Sequence, residues 1–415
     1  MNGKYTLVID GNYFLFRTLF VLPGTFKSDE ILGSSDDMAI YMRKLATDLT
    51  YQIRLFDGLI DKIVWTVDSR SWRKDFYPES EYKGNRKPNS NLNWDNFSKV
   101  SEEFKDILAK RGVCISKVDG AEGDDLIYAW VTESLANEKS IIIFSGDKDL
   151  TQLTGLSKNN KAHALCYSPV HKKIYTYPGF STWLNSVDEP TDSNDFFESM
   201  KVHSKQSNRI KETLKSVRDK KKLEYIETNP DEIRFKKVLT GDPGDNVPPA
   251  YWKTVKLKTG GERVYGVSDK KADSVYDEFI KKHSSFNYMY FFSDEYLTDI
   301  ANILIKVVNI KDKSREEIIR NLRVNINLMI LSSQTIPEGI VDEMFRVIES
   351  LSNCNLDLKS VTSMKVLLKD TKYVDDITEQ KGFSASFFKG DDSDDSDDSD
   401  DMSFIKGRKQ NDSIF

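Results

Sequence analysis

Acidic side chains follow four successive apolar segments in the N-terminal half of the chain. The segments 5–10, 62–68, 112–118 and 140–145 are short and apolar, which is typical of buried strands. Because the carboxyl ends of parallel strands face one crevice, we expect the side chains that follow them to converge there. These carboxylates are Asp10, Asp68, Glu122, Asp124, Asp125, Asp147 and Asp149.

Two further carboxylates, Asp242 and Asp245, join this group if the segment 241–246 folds back onto the sheet. Clustered carboxylates repel one another, and burial raises their pKa unless cations neutralise them. Oxygen ligands without histidine or cysteine select Mg²⁺ or Mn²⁺, and the four histidines here lack metal-ligand spacing. The surplus of acids predicts two such ions about 3.5–4 Å apart, an arrangement used for phosphodiester cleavage.

Each acidic residue taken alone also has a purely structural interpretation. A single aspartate at a strand end commonly caps a turn or a helix. Glu122, Asp124 and Asp125 begin a predicted helix, where the macrodipole favours acids in any case. Acids after four successive strands are harder to explain as caps, so a metal site is the preferred hypothesis.

Helical patterns separate the predicted strands. The segments 37–57, 94–110 and 122–137 have the apolar spacing of helices. Segments 163–168 and 172–177 predict a hairpin at the sheet edge. This alternation predicts an α/β fold with a mostly parallel sheet and helices on both faces.

The charge pattern changes after residue 180 and indicates further units. Residues 201–222 carry nine Lys/Arg against two acids, which suits either an extended nucleic-acid surface or a solvated charged helix. The expected organisation is an α/β domain over 1–180 with an arch at about 70–95, a charged insertion over 181–230, an α-helical domain over 231–375, and a disordered acidic tail over 376–415.

One short run sets the sign of the formal charge. Residues 391–401 hold eight aspartates and three serines, and without those eight charges the net charge of −6 becomes +2. The remaining chain is therefore compatible with a nucleic-acid partner. Three scattered cysteines fit a reducing compartment, and no apolar run suits a membrane span or a secretory signal, so we expect a cytoplasmic protein without a membrane partner.

Several of these motifs occur together in the 5′-nuclease family, which includes flap endonucleases, the 5′-nuclease domains of bacterial DNA polymerases, and the phage 5′–3′ exonucleases and ribonuclease H. The chain resembles this family over roughly residues 5–280, and looks closest to the phage branch, which would imply the host cytoplasm. The matching residues are Asp10-Gly11 with Arg17, Asp68, Tyr82-Lys83-Gly84-Asn85-Arg86, Glu122-Gly123-Asp124-Asp125, Gly146-Asp147-Lys148-Asp149 and Gly241-Asp242-Pro243-Gly244-Asp245-Asn246.

The resemblance implies a role for each acidic residue. Asp125 would act on a metal directly or through water. One metal cluster would be served by Asp10, Asp68, Glu122 and Asp124, and a second by Asp147, Asp149, Asp242 and Asp245.

The resemblance also implies a nucleic-acid surface around Arg17 and the arch. Lys83 and Arg86 would contact the scissile phosphate from a helical arch, one helical turn apart. Tyr82 could stack on an unpaired base. Three aromatic residues either line the arch or pack in the core, namely Trp72, Phe76 and Tyr77.

A helix-three-turn-helix motif at about 240–282 is a further implication of the resemblance, and such motifs bind duplex phosphates. The family often holds a monovalent cation near 266–268. Ser268 stands where glycine is usual, and residues 249–265 form a long connection; both departures argue against a potassium-type site. The stretch 253–271 carries six Lys/Arg against two acids, which suits sequence-independent backbone binding. The residues that resemble the second half of the motif are Gly266, Ser268, Lys270 and Lys271.

Together these features predict a Mg²⁺-dependent 5′–3′ exonuclease or flap endonuclease. It would act on DNA and RNA–DNA hybrid with a 5′ end or flap, and would remove RNA primers during lagging-strand replication. Short apolar anchors in the acidic tail suit contact with a sliding clamp or a single-strand-binding protein. Two alternatives are a catalytically silent replication factor that binds branched DNA, and a PIN-type endoribonuclease that shares the sheet and some of the acids.

Overall fold

The computed structural model describes residues 5–22, 26, 28–56, 58–77, 82–86, 88–186, 197–256, 262–369 and 371. The predicted acidic tail over 376–415 lies outside these residues. So do residues 78–81 and 87 of the predicted arch and residues 187–196 of the predicted insertion.

A single sheet organises the N-terminal half of the described chain. Its strands pair in the order β3-β2-β1-β4-β6-β7-β8, with β5 beside β6. The pairs β1–β2, β1–β4, β2–β3, β4–β6 and β7–β8 are parallel, and β6–β7 is antiparallel. The predicted α/β class and the predicted hairpin are therefore confirmed. The strands are β1 (Tyr5–Asp10), β2 (Ile60–Val67), β3 (Cys114–Lys117), β4 (Ile141–Phe144), β5 (Gly155–Leu156), β6 (His163–Ser168), β7 (Lys173–Thr176) and β8 (Glu224–Glu227).

Helices cover the sheet and form most of the C-terminal half. Within the described ranges, short 3-10 helices occur at Lys148–Leu153 and Tyr288–Phe292. The α-helices are α1 (Gly11–Phe20), α2 (Ser35–Leu55), α3 (Arg73–Phe76), α4 (Trp94–Lys110), α5 (Gly123–Ala136), α6 (Phe180–Asn185), α7 (Phe197–Lys221), α8 (Pro230–Thr240), α9 (Asp269–His283), α10 (Asp294–Val308), α11 (Arg315–Met329), α12 (Glu338–Ser350), α13 (Leu358–Val361) and α14 (Met364–Leu367).

The alternation of side chains along the central strands produces two cores, one on each face of the sheet. Leu7 and Trp65 point into a core shared with α1, α2 and α4. Val8 and Val64 point into a second core shared with α5 and α12. Side chains of successive strand residues point to opposite faces of the sheet. Because these strands are apolar throughout and do not alternate with polar residues, helices must cover both faces.

The predicted insertion contributes to the sheet and to the first core. Leu214 and Val217 of α7 are buried there, and β8 extends the sheet beside β7. Lys211 of the same helix is 2% exposed, and its Nζ donates to Ser186 Oγ at 3.0 Å. Strand β8 was not predicted from the sequence, because its four residues begin and end with glutamate. Glutamates at these positions suit a strand at the edge of a sheet.

The helical domain expected over 231–375 is divided between two places. Helices α8 to α11 surround their own core, which contains Phe235 and Phe279. Residues Met344 and Ile348 of α12 instead pack on α5, and Leu367 of α14 packs in the first core. The expected boundary is therefore wrong for α12 to α14, because their apolar stripes complete the α/β layer.

None of the helices in the described ranges is long and apolar enough to span a membrane.

The packing of α12 against the α/β layer can be tested at Met344. Its side chain is fully buried, so Met344→Ala should lower the free energy of unfolding by about 2–5 kcal/mol, measured by urea denaturation. Glu349→Ala, at an exposed position of the same helix, should change it little. Equal effects of the two substitutions would contradict this packing.

Candidate active site

Asp10 ends β1 and begins α1 at the carboxyl edge of the sheet. Its carboxylate accepts hydrogen bonds from the Tyr13 backbone N–H at 3.0 Å and from Ser145 Oγ at 2.9 Å. Gly11 has to be glycine, because a Cβ there would overlap the Thr66 carbonyl. Burial, and then the nearby Asp68 carboxylate, raise the pKa of Asp10 to about 7.

Asp68 directly follows β2, and Asp124 lies in the first turn of α5, which follows β3. Asp68 accepts hydrogen bonds from the Gly123 N–H, at the start of α5, and from Asn12 Nδ2. Burial raises the pKa of Asp68. Burial, followed by the charges of Asp147 and Asp10, raises the pKa of Asp124 well above its usual range. These acids therefore interact electrostatically across one crevice, as predicted.

A buried arginine holds the other two acids of this segment. Arg73 is 2% exposed and forms a bidentate ion pair with Asp125, at 2.8 and 2.9 Å. The same guanidinium donates to Glu122 Oε2 at 3.2 Å and to the Leu328 carbonyl at 2.8 Å. Asp125 also accepts the backbone N–H of Glu122 in a capping box. Both Asp125 oxygens are thus engaged, and this geometry does not support its expected role on a metal.

A second acidic group surrounds Lys237. Asp147 caps the 3-10 helix by accepting the Asp149 N–H at 2.8 Å. Lys237 Nζ forms ion pairs with Asp149 and, at 3.1 Å, with Asp242. Burial raises the pKa of Asp149 to about 7, opposed by Lys237. Burial also raises the pKa of Asp242, but Lys237 and two backbone N–H groups outweigh it and the net shift is downward.

Residues 82–86, which we call the strap, bridge the two acidic groups. Lys83 Nζ lies 2.6 Å from Glu122 Oε1 and 3.9 Å from Asp245 Oδ2. Arg86 forms an ion pair with Asp245, and the Lys83 N–H donates to the Asp245 carbonyl at 3.0 Å. The strap therefore places Lys83 and Arg86 among the carboxylates.

Two expectations for the strap differ from the structure. Residues 82–85 form a turn in which Lys83 has a φ of 59°, so the predicted spacing of one helical turn is wrong. Tyr82 is 5% exposed and packs against Val247 and Leu328, so it is not open for stacking on a base. Its hydroxyl instead donates to Asp245 Oδ2 at 2.9 Å or Glu122 Oε2 at 3.1 Å.

The donor chemistry of these acids fits a hard divalent cation, although the side chains are not arranged around one. Within the described part of the chain, no three acidic, histidine or cysteine side chains are placed so that they could hold a metal ion. Lys83, Arg86 and Lys237 occupy positions between the carboxylates instead. An ion could share these oxygens only if lysines withdrew, so the predicted ligand set stays a prediction.

The predicted duplex-binding residues lie at the start of α9. Ser268 is its N-cap residue, and Lys270 and Lys271 are exposed in its first turn. Gly266 ends strand β10 (Glu262–Gly266), which pairs with β9 (Trp252–Lys256) in an antiparallel hairpin. The long connection over 249–265 is therefore largely this hairpin.

Arg17 and the three aromatic residues are placed differently. Arg17 lies 4.0 Å from Asp48 of α2 and is directed toward that helix. Trp72 is a core residue, whereas Phe76 is 45% exposed. Tyr77 is partly buried beside Tyr82.

Sequence reasoning missed four residues of the site: Arg73, Lys237, Asn12 and Ser145. Asn12 directly follows the Asp10-Gly11 pair, and Ser145 directly precedes Gly146, so both could have been found by examining the neighbours of the acidic motifs. Arg73 and Lys237 offer no such signal, because Arg73 reaches Asp125, and Lys237 reaches Asp149, only through the packing of distant elements.

The fold and the acidic edge together define an α/β domain whose carboxylates meet at the carboxyl edge of a mostly parallel sheet. Residues 5–176 match the family model described as the 5′–3′ exonuclease, N-terminal resolvase-like domain. Over these residues the chain is therefore similar to the 5′–3′ exonuclease family.

Individual relatives cover smaller parts of the chain. It is 37% identical over 93 residues to the flap endonuclease Xni of Shewanella sediminis, covering 22% of this chain and 33% of that protein. It is 26% identical over 192 residues to DNA polymerase I of Caldicellulosiruptor bescii, covering 44% of this chain and 21% of that protein. The chain thus spans only a minor part of these relatives.

The D15 protein of bacteriophage T5, crystallised with metal ions, has a similar structure at a TM-score of 0.47 and 14% identity. The match covers 84% of this chain and 100% of that one.

The ion pair between Arg73 and Asp125 can be tested by a double-mutant cycle. Arg73→Met leaves a buried carboxylate unpaired and should lower the free energy of unfolding by about 3–5 kcal/mol, measured by urea denaturation. Adding Asp125→Leu should restore most of the loss. Arg70→Met, which removes an exposed pair with Asp75, should have little effect. Additive losses in the double variant would argue against the pairing.

The raised pKa values of Asp10 and Asp149 predict a pH dependence of stability without divalent cations. Both folded values are about 7, above the value near 4 of an unfolded aspartate, so the folded state retains these protons between about pH 4 and 7. Their contribution to stability is fully present below about pH 4 and is lost as the pH rises through 7.

Asp10→Asn should therefore make the free energy of unfolding decrease less between pH 5 and 8 than it does in wild type, measured by urea unfolding in the presence of a chelator. Asparagine retains the helix N-cap, so the comparison isolates the charge. Parallel pH profiles for the variant and wild type would contradict the assignment.

Proposed function

We propose that this chain is a divalent-cation-dependent phosphodiesterase that cuts nucleic acid at or near a 5′ end, as a 5′–3′ exonuclease or flap endonuclease. One observation carries the proposal: Asp10, Asp68, Asp124 and Asp147 interact across one crevice, with cationic side chains drawn in among the acids. Capping of a helix or turn requires a single carboxylate, so it does not explain four carboxylates that repel one another.

Two Mg²⁺ or Mn²⁺ ions are the cofactors that suit these donors. Such ions lower the pKa of a water molecule and stabilise the charge that develops on a scissile phosphate. Once Lys83, Arg86 and Lys237 release the carboxylates they pair with, the ions would be held by the acids predicted from the sequence other than Asp125: Asp10, Asp68, Glu122, Asp124, Asp147, Asp149, Asp242 and Asp245.

The strap supplies the cations that would receive the phosphate. Lys83 and Arg86 are paired with Glu122 and Asp245, and a substrate phosphate offers them an equivalent anionic partner. When the substrate phosphate replaces a carboxylate as the partner of Lys83 or Arg86, the oxygens of that carboxylate become free for other ligands. Tyr82 stays bonded to Glu122 or Asp245 and positions them.

The substrate proposed is DNA or RNA–DNA hybrid with a 5′ end or flap. The names of the relatives support it, since one is a flap endonuclease and another is DNA polymerase I. Removal of RNA primers in lagging-strand replication would use this activity. Contact of the tail over 376–415 with a sliding clamp or single-strand-binding protein belongs to the same proposal.

The activity is tested with 5′-flap DNA and a matched RNA–DNA hybrid, each end-labelled, with Mg²⁺ or with a chelator. Asp124→Asn should lower the cleavage rate at least about a hundredfold, because it removes one charge from the centre of the acidic group. Asp119→Asn, an exposed aspartate after β3, should cut like wild type.

The results separate the alternatives. Flap binding without cleavage in Mg²⁺ would identify a silent branched-DNA-binding factor. Cleavage of internal RNA without need of a 5′ end would identify a PIN-type endoribonuclease.

A further inference from the structure

The hairpin β9–β10 exposes apolar side chains on both of its faces. Paired residues share a face and successive residues alternate, so Val255 and Tyr265 lie on one face and Val264 on the other. Their exposed fractions are 38%, 42% and 62%. A lone two-stranded ribbon is marginally stable in water, so exposed apolar residues on both faces suggest that the ribbon has a further surface to contact.

The base of the hairpin is fixed to the helical core. Tyr251 donates its hydroxyl proton to Asp312 at 2.9 Å, and Lys313 Nζ lies 4.3 Å from the Trp252 ring centroid. The Ala250 carbonyl accepts a hydrogen bond from Asn321 of α11 at 3.0 Å. These contacts fix the orientation of the hairpin relative to the helical core, while Val255 and Val264 remain exposed.

Positive charge continues along this part of the chain. Lys253 and Lys256 are exposed on β9, and the hairpin leads directly to Ser268 and the exposed Lys270 and Lys271 of α9. The same hairpin begins six residues after the 241–246 segment that carries Asp242 and Asp245. The ribbon is therefore joined at one end to the acidic site and at the other to a basic helix start.

We propose that the hairpin β9–β10 grips the duplex part of the nucleic-acid substrate, as a contact separate from the start of α9. This rests on the proposed function. The major groove of B-DNA is about 12 Å wide and admits a two-stranded ribbon. Strands of five residues extend about 17 Å, which is about five base pairs.

The chemistry of the ribbon suits a sugar–phosphate surface. Lys253 and Lys256 pair with phosphates, while Val255 and Val264 pack on the sugars that line the groove. Pairing with a second copy of this chain is less favoured, because lysines along a strand edge oppose strand addition.

The experiment compares the full chain with a Lys253→Gln/Lys256→Gln variant. Affinity for a 5′-flap duplex is measured by fluorescence anisotropy in a chelator at several salt concentrations. Loss of two phosphate contacts should reduce the slope of log K against log salt by about 2. The loss of affinity should then be about tenfold larger at 50 mM than at 200 mM salt. The protected duplex should shorten by about five base pairs in a footprint, which a general loss of charge would not cause.

The matched control is Lys110→Gln/Lys365→Gln, which removes the same charge from exposed positions of α4 and α14. It should keep the wild-type slope and footprint. A second variant, Val264→Asp, places an acid on the most exposed apolar position of the ribbon and should also weaken binding. Because that side chain is 62% exposed, the substitution should leave the folded state intact, which circular dichroism checks.

The outcomes separate the two proposals. If wild type binds and cuts flaps but the lysine variant keeps the wild-type slope and footprint, the hairpin proposal is overturned and the nuclease proposal stands. If the variants change only self-association, measured by analytical ultracentrifugation, the hairpin proposal is likewise overturned. A wild-type chain that binds no duplex overturns both.

Discussion

Repulsion among buried carboxylates at the carboxyl edge of the sheet constrains everything around it. Parallel pairing of β1, β2 and β3 brings Asp10, Asp68 and, at the start of α5, Asp124 into one crevice, where burial disfavours their ionised forms. The charge is tolerated because cations approach from other segments. Lys83 of the strap and Lys237 of α8 form ion pairs with these acidic groups, although the two elements are far apart in the sequence.

These ion pairs also join the two parts of the molecule. Arg73 is bonded to Asp125 of the α/β layer and to the Leu328 carbonyl of α11. Lys237 connects the helical core to Asp149, next to β4. The contacts that balance charge in the site are therefore also contacts between the sheet and the helices. Charge changes in this crevice should alter the stability of the fold as well as its chemistry, because one set of groups serves both.

Much of the fold was predictable because it follows from local patterns. Apolar runs located the central strands, and the helix over Trp94–Lys110 follows from apolar spacing after the Asn93 cap. The pattern failed for β8, whose exposed edge needs no apolar run, and for the β9–β10 hairpin, which has little buried surface. It also failed for α12, because a stripe such as Met344 and Ile348 indicates a buried face but not which surface covers it.

The acidic residues of the site were determined by the sequence alone, since strand ends and carboxylates are both visible there and parallel pairing brings them together. Only the tertiary structure decided which of them remain available. Asp125 is taken up by Arg73, and Lys83 reaches Glu122 through a turn with a positive φ rather than a helix. Ion pairs depend on distances of a few ångströms between segments that the chain leaves far apart, and packing alone sets those distances.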